Sequence, residues 1–145
     1  MDNDTTAGDG RLEDGTSTLD ASVRRALRHG GVIDITTTGR RTGKPRRIEI
    51  VFHVIDGRMI ISGMPVPGRT RAWLRNLEAD PRLTVHLKRG IVADLPATAR
   101  IITSPDERRR LLTEVARNWH RDDVAVMVAH SPLIEVTLDE AAAAA

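Results

Sequence analysis

Alternation of apolar and polar side chains predicts most of the strands in this chain. In the segment 47–55 the apolar residues fall on every second position, which is the period of a strand with one buried face. Two later segments show the same alternation, and the dipeptide Asp56-Gly57 is a strong hairpin signal between two strands. The predicted strands are 32–38, 47–55, 58–62, 83–88, 91–102 and 134–138.

Four helices are predicted between these strands. The first has Asp20 as N-cap and Gly30-Gly31 as its stop, with apolar residues on one face and arginines on the other. We expect it to pack over an open end of the sheet, although a basic amphipathic helix can also lie on a membrane surface. Ser104 and Glu107 form a capping box for the third helix. The predicted helices run from Asp20 to Gly30, from Thr70 to about Ala79 with Asp80-Pro81 as the stop, from Ser104 to about Trp119, and from Asp122 or Asp123 to His130.

Six strands joined mainly by antiparallel hairpins, with helices inserted between them, predict a mostly β, α+β fold. The expected architecture is a small closed or half-closed barrel rather than a doubly wound sheet. In the fifth strand, Pro96 should mark a bulge or an edge position. Residues 1–18 and 139–145 are predicted to be disordered tails, which leaves one domain at 19–138.

The distribution of charge points to an anionic partner. The whole chain carries a net charge of +2, but without the two acidic tails 21 basic and 13 acidic residues remain. Twenty of the 22 basic residues are arginine, whose planar fork suits carboxylate and phosphate. Two Trp, one Phe and no Tyr leave little aromatic surface for stacking bases, so nucleic acid is a poor candidate.

The residue types present exclude several kinds of chemistry. The absence of cysteine removes disulfides, thiolate metal sites and thiol nucleophiles, and it fits a cytoplasmic protein. The five histidines show no metal-ligand spacing, so no metal site is predicted. Ser62 and Ser131 lack the context of a nucleophile elbow. His53 and His86 lie among apolar strand residues, where a structural role is favoured over catalysis.

The candidate site is the stretch TTTGRRTGKPRR at 36–47, which is predicted to form the tip of the first hairpin. We expect Gly39 and Gly43 to adopt the positive φ of a turn there. The stretch carries no acid among its cations, and such crowded like charges are stabilised by a bound anion. These cations are Arg40, Arg41, Lys44, Arg46 and Arg47.

A second stretch, the loop from Gly63 to Arg71, strengthens the case for this site. It carries Arg69 and Arg71 and leads into the second predicted helix, whose free amides attract anions. Hairpin and loop can reach the same mouth of a barrel if the hairpin curls over. The alternative is a solvated turn followed by a proline-rich connector.

Three segments together resemble the deazaflavin-dependent nitroreductase family, whose members are flavin/deazaflavin oxidoreductases of split β-barrel fold. The segments are TTTGRRTGKPR (36–46), ISGMPVPGRTRAWLRNL (61–77) and ADPRLTVHLK (79–88), and the resemblance extends over about residues 20–138. It implies a six-stranded split β-barrel of the FMN-binding type that binds coenzyme F420. The phosphate and oligoglutamate tail of that coenzyme would account for the clustered arginines.

The resemblance also implies the roles of individual residues. The hairpin cations match positions that hold the anionic tail and phosphate, Ser62 to Met64 match the backbone against which the deazaflavin ring lies, and Trp73 with Asn76 matches the family's W-x-x-N pattern. Arg69 lies where the loop departs from the family form. The cofactor-binding residues so implied are Arg40, Arg41, Lys44, Arg46, Ser62, Gly63, Met64, Arg69, Trp73 and Asn76.

The activity implied is hydride transfer from reduced F420 to a small quinone, enone or nitro acceptor. Members that reduce bulky acceptors resemble one another in having tyrosines near the substrate, whereas this chain has none. No catalytic residue is predicted, although His53 or His86 would serve as proton donor if it faced the cavity. An FMN-binding oxidoreductase and a non-catalytic binding module for an anionic ligand stay open as alternatives, as does a homodimer.

Overall fold

The computed structural model of the protein describes residues 21–139. The predicted tail 1–18, residues 140–145 of the tail predicted at 139–145, and the predicted cap Asp20 lie outside the described residues. The elements in chain order are α1 (Ala21–Leu27), β1 (Gly31–Thr38), β2 (Pro45–Ile55), β3 (Arg58–Ser62), α2 (Ala72–Ala79), β4 (Arg82–Leu87), β5 (Ala93–Ile101), α3 (Pro105–Asn118), α4 (Val124–His130) and β6 (Leu133–Leu138).

The six strands form a closed antiparallel barrel in the order β1-β2-β3-β6-β5-β4. Closure pairs β1 with β4, through partners such as Asp34 and His86, so that the sheet has no free edge strand. The predicted α+β fold with a six-stranded barrel is confirmed. Within residues 21–139, no helix is long and apolar enough to cross a membrane.

The barrel encloses the first of two hydrophobic cores. Inward-facing residues on alternate strand positions, such as Ile33, Ile35 and Val85, are almost completely buried there. Helix α1 adds Val23 and Leu27 to this core, and helix α2 adds two more side chains. The expectation that the first helix packs against the barrel is therefore confirmed.

A second core lies between the outer face of the barrel and helices α3 and α4. Leu111, Leu112 and Val115 of α3 and Met127 of α4 are buried against outward-facing strand residues such as Ile60. The buried residues of α3 recur at helical spacing, so the helix presents one apolar face to the sheet. One face of the barrel is thus covered by helices.

The helix boundaries follow local capping chemistry, with one correction. The Ser104 side chain accepts a hydrogen bond from the Glu107 backbone N–H at 3.5 Å, which is one half of the predicted capping box. The Glu107 carboxylate binds Arg100 instead of completing the other half. Thr70, however, is not the cap of α2, because Arg71 occupies the N-cap position in an extended conformation without a side-chain cap. The predicted stop at Asp80 is correct.

Pro96 lies in β5 without a bulge, and β5 is paired on both sides in the closed barrel, so neither the predicted bulge nor the predicted edge position is observed. The register between β4 and β5 is continuous through the pair Thr84 and Pro96. The Pro96 carbonyl instead accepts a hydrogen bond from the Asp139 N–H at 2.8 Å, beyond the end of β6. Because the N–H and C=O of one strand residue point the same way, the missing proline donor removes no bond between β4 and β5.

His120 offers a test of backbone strain at the end of α3. This residue has a φ of +56°, and the following Arg121 N–H returns to the Ala116 carbonyl at 2.8 Å. Glycine is preferred at this left-handed position because it has no Cβ. We expect His120→Gly to raise the free energy of unfolding by about 0.5–1 kcal/mol, measured by urea denaturation. A lower urea midpoint for H120G would contradict this expectation.

Candidate functional site

The basic hairpin forms a tight tip between β1 and β2. The Gly39 N–H donates to the Lys44 carbonyl at 2.8 Å, and the Gly43 N–H donates to the Gly39 carbonyl at 2.7 Å. Gly43 has the predicted positive φ, at +71°, but Gly39 does not. Glycine relieves crowding at 39, since a Cβ there would lie 2.9 Å from Thr42 Oγ1 and 3.1 Å from the Lys44 carbonyl.

Asn76 of α2 holds this hairpin in place. Its side chain is 3% exposed, and its Oδ1 accepts a hydrogen bond from the Arg40 backbone N–H at 3.0 Å. Its Nδ2 donates to Thr37 Oγ1 at 3.1 Å, at the end of β1. Both the oxygen and the nitrogen of the amide are thus hydrogen-bonded within the protein, and through them Asn76 fixes the hairpin to α2.

The hairpin cations lack acidic partners in the structure. Among residues 21–139, none of Arg40, Arg41, Lys44 and Arg46 takes part in a salt bridge, whereas the adjacent Arg47 pairs with Asp34 at 2.9 Å. An unneutralised cluster of like charges is a fixed electrostatic attraction for an anion. The described residues therefore leave these four hairpin cations without an acidic partner, and the anion site itself stays a prediction.

A shallow pocket of about 680 Å³ lies between the hairpin and helix α2. Arg75 and Glu78, which line it from the helix, also pair with each other at 3.0 Å. The hairpin and α2 thus meet, and the loop 63–71 reaches this pocket only through Thr70, since Arg69 and Met64 do not line it. Arg75 has no special sequence signal beyond its place one helical turn after the loop. The lining residues are Arg40, Arg41, Thr70, Arg75, Glu78 and Ala79.

The backbone after β3 is held from several sides. The Ser62 hydroxyl is buried and donates to the Pro132 carbonyl at 2.7 Å. Gly63 lies between Pro132 and the Arg71 guanidinium, because a Cβ there would be 3.1 Å from Pro132 Cγ and 3.2 Å from Arg71 Nη2. Arg71 Nη2 also donates to the Met64 carbonyl at 2.6 Å. Arg71, which occupies the N-cap position of α2 in place of the predicted Thr70, therefore holds the loop through its side chain.

Trp73 is part of the barrel core. It is 9% exposed and packs in the same cluster as Leu77 and the inward-facing strand residues. Its ring therefore anchors to the barrel the helix that carries Asn76 and Arg75. Neither Trp73 nor Asn76 lines the pocket between the hairpin and α2.

The two strand histidines lie on the outer face of the barrel. His53 contacts Asn118 Nδ2 through Nδ1 at 3.1 Å and lies edge-on to Trp119, and burial lowers its pKa. His86 Nδ1 lies 2.7 Å from Asp94 Oδ1, and its Nε2 lies 2.6 Å from Thr36 Oγ1. Their inward neighbours belong to the barrel core, so neither imidazole faces the barrel interior. Through these contacts His53 joins β2 to α3, and His86 joins β4 to β5 and β1.

No metal centre is visible in the described part of the chain. Residues 21–139 contain no group of three or more His, Cys, Asp or Glu side chains that could hold a metal ion. The hairpin and its pocket present guanidinium groups, an ammonium group and backbone amides. Such donors bind carboxylate and phosphate oxygens.

Solved structures share this fold at low sequence identity. An F420-H2 dependent reductase, FDR-A, has 19% identity and a TM-score of 0.56, with 73% of this chain and 93% of that chain covered. A conserved hypothetical protein from Mycobacterium tuberculosis has 18% identity and a TM-score of 0.62 over 85% and 82% of the two chains. A structure described as a domain-swapped dimer has 19% identity and a TM-score of 0.57, with 85% of each chain covered.

A comparison with protein-family models identifies the family directly. Residues 13–140 match the family described as F420H(2)-dependent quinone reductase. This match extends over most of the chain. The match includes the hairpin, the loop after β3 and helix α2. The chain therefore belongs to the F420H(2)-dependent quinone reductase family, and it is an F420H2-dependent oxidoreductase.

Proposed function

We propose that this protein transfers a hydride from F420H2 to a small electrophilic acceptor, namely a quinone, an enone or a nitro compound. The observation that carries the proposal is the set of hairpin cations without acidic partners, held by Asn76 beside a pocket of about 680 Å³. An anionic coenzyme would supply the charge that the protein does not supply itself.

The residues present fit an anionic deazaflavin coenzyme. Arg40 and Arg41 face the pocket, and Lys44 and Arg46 extend the cationic surface along the same turn. Guanidinium groups can bind phosphate or carboxylate with two parallel hydrogen bonds. We propose that these four cations hold the phosphate and acidic tail of F420, with Trp73 and Asn76 as structural supports.

The loop after β3 would support the ring. When bound and reduced, F420 supplies a hydride for transfer. The protein positions the reactants through the backbone of residues 62–64, which the hydrogen bonds of the Ser62 hydroxyl and the Arg71 guanidinium hold in place. A backbone held from both sides keeps its place when ligands bind, which preserves the alignment that hydride transfer requires. Ser62, Gly63 and Met64 are therefore assigned to the ring.

Titration with F420 and, in parallel, with FMN tests the proposal. We expect Arg41→Ala combined with Arg46→Ala to weaken F420 binding about tenfold or more, because two charge-assisted contacts are lost. The melting temperature should change little, since both side chains are exposed. Coenzyme fluorescence and thermal shift report the two quantities, and Arg109→Ala on α3 is the matched control.

The outcomes separate the candidate functions. Unchanged F420 affinity in the double variant would refute the assignment of the hairpin to the coenzyme tail. Binding of FMN in place of F420 would identify an FMN-dependent enzyme of the same fold. If neither coenzyme binds, the protein is a binding module for another anionic ligand.

Two further features belong to the proposal. We place the protein in the cytoplasm, a location that its lack of cysteine fits. A homodimer is also proposed, supported by the domain-swapped dimer of similar fold. Light scattering of the purified protein would decide the oligomeric state.

A further inference from the structure

The loop 63–71 carries two arginines that no acid neutralises. Within the described residues, Arg69 and Arg71 form no salt bridge, and Arg71 hydrogen-bonds to the Met64 backbone carbonyl instead. Burial lowers the pKa of Arg71, and the nearby charge of Arg69 lowers it further. Two neighbouring guanidinium groups without an acid repel each other, and a bound anion removes that repulsion.

An exposed apolar surface adjoins this arginine pair. Met64 is 43% exposed and Val66 is 38% exposed, and they are two of the four exposed large apolar residues in the described part of the chain. The Val66 N–H donates to the Met64 carbonyl at 3.0 Å, and the Arg69 N–H donates to the Val66 carbonyl at 3.1 Å. These bonds place the apolar side chains and the arginines on one compact turn.

Met64 is held from outside the loop as well. Arg121 Nη1 lies 3.2 Å from the Met64 sulfur, and Arg121 is itself paired with Asp123. With the Arg71 clamp on its carbonyl, Met64 is therefore fixed by both the start of α2 and the connection between α3 and α4. A thioether held in this way offers a polarisable contact for a flat ring.

We propose that the Arg69–Arg71 pair and the Met64–Val66 surface form the acceptor subsite, and that the acceptor is a small planar apolar molecule bearing a carboxylate. This inference rests on the proposed function, because the adjoining Ser62–Met64 backbone is assigned to the deazaflavin ring. Arg69 then serves the acceptor rather than the coenzyme. The acceptor subsite would then be separate from the pocket at the hairpin, since neither Arg69 nor Arg71 lines that pocket.

Steady-state kinetics with a matched pair of quinones test the acceptor class. The probes are 1,4-naphthoquinone and its carboxylate derivative; each takes up a hydride from the reduced coenzyme and a proton from water and becomes the hydroquinone. We expect wild-type kcat/KM to favour the carboxylate about fivefold or more, through its charge-assisted contact with Arg69. In Arg69→Gln the ratio should fall to about one. A ratio unchanged from wild type would overturn the proposal.

A binding measurement without coenzyme provides a second readout. We expect coenzyme-free protein to bind 2-naphthoate, followed by naphthoate fluorescence, and Arg69→Gln to weaken that binding about fivefold or more. Val66→Ser should also weaken it, because apolar contact area is lost. Arg109→Gln and Val92→Ser, which change an exposed arginine and an exposed valine elsewhere, are the controls.

The two measurements distinguish failure of this inference from failure of the proposed function. If F420 does not bind, the proposed function fails, and the naphthoate titration still decides whether the arginine pair is an anion subsite. Equal naphthoate affinity in wild type and R69Q would overturn the subsite even if F420 binds tightly. Equal losses in R69Q and R109Q would show only a general effect of net charge, and would also overturn it.

Discussion

Replacing Arg108 by alanine should lower the free energy of unfolding by about 3 kcal/mol. This is the largest loss of stability that we expect from replacing any one arginine. Its guanidinium donates to the carbonyls of Ile102 at 3.1 Å, Val128 at 2.8 Å and Ser131 at 2.6 Å, with a longer contact to Met127. Met127 and Val128 belong to α4, Ser131 to the connection between α4 and β6, and Ile102 to the connection between β5 and α3. Alanine would remove the guanidinium donor from the Ile102, Val128 and Ser131 carbonyls in a partly buried place, whereas the Met127 carbonyl still accepts from the Ser131 N–H.

Thermal and urea denaturation measure the Arg108 effect. The expected loss corresponds to a fall in melting temperature of about 10 °C for a domain of this size. Arg108→Lys should show an intermediate loss, because one ammonium group cannot reach the same spread of carbonyls. Arg109→Ala is the control, since that side chain is exposed on the same helix. A loss in R108A no greater than in R109A would contradict the assigned role.

The effect of Arg108 should also reach the candidate site. Ser131 precedes Pro132, whose carbonyl accepts the Ser62 hydroxyl and whose ring lies against Gly63. Loss of the Arg108–Ser131 bond therefore loosens the support of the loop after β3. We expect weaker support there to reduce turnover more than coenzyme affinity, because the hairpin cations do not depend on it.

Periodicity and turn chemistry predicted the strands and the Ser104 cap correctly because those signals are local. The Asp56-Gly57 turn and the Ser104 cap depend on residues within four positions of each other. The basic hairpin was also visible in the sequence, since its cations are contiguous. Thr70 failed as a cap because the neighbouring Arg71 takes that position and turns its side chain toward Met64.

Contacts across the fold were not predictable from the sequence in the same way. The Arg108 bonds join residues separated by up to 23 positions, and the Asn76 bonds join residues 36 and 39 positions apart. Arg71 and Arg121 meet at Met64 only because the loop and the α3–α4 connection are brought together by the closed barrel. An arginine side chain on a helix gives no sequence signal of which distant carbonyl it will bind.

Replacing Asn76 should lower both the stability of the protein and its affinity for the coenzyme. We expect Asn76→Ala to lower the free energy of unfolding by about 2 kcal/mol, since the Thr37 hydroxyl loses its buried partner and the Arg40 N–H loses its acceptor. Freed from α2, the hairpin tip would bind F420 about tenfold more weakly, because its ordering must then accompany binding.

Thr37→Val separates the two effects of Asn76. This variant removes the contact of Asn76 Nδ2 at 3.1 Å but keeps the bond of Oδ1 to the Arg40 backbone at 3.0 Å. It should therefore lower stability by about 1 kcal/mol while F420 affinity stays close to that of wild type. Urea denaturation and coenzyme fluorescence titration measure both quantities on the same samples. An N76A protein that binds F420 as tightly as T37V would show that the hairpin is ordered without α2, and the positioning role of Asn76 would be lost.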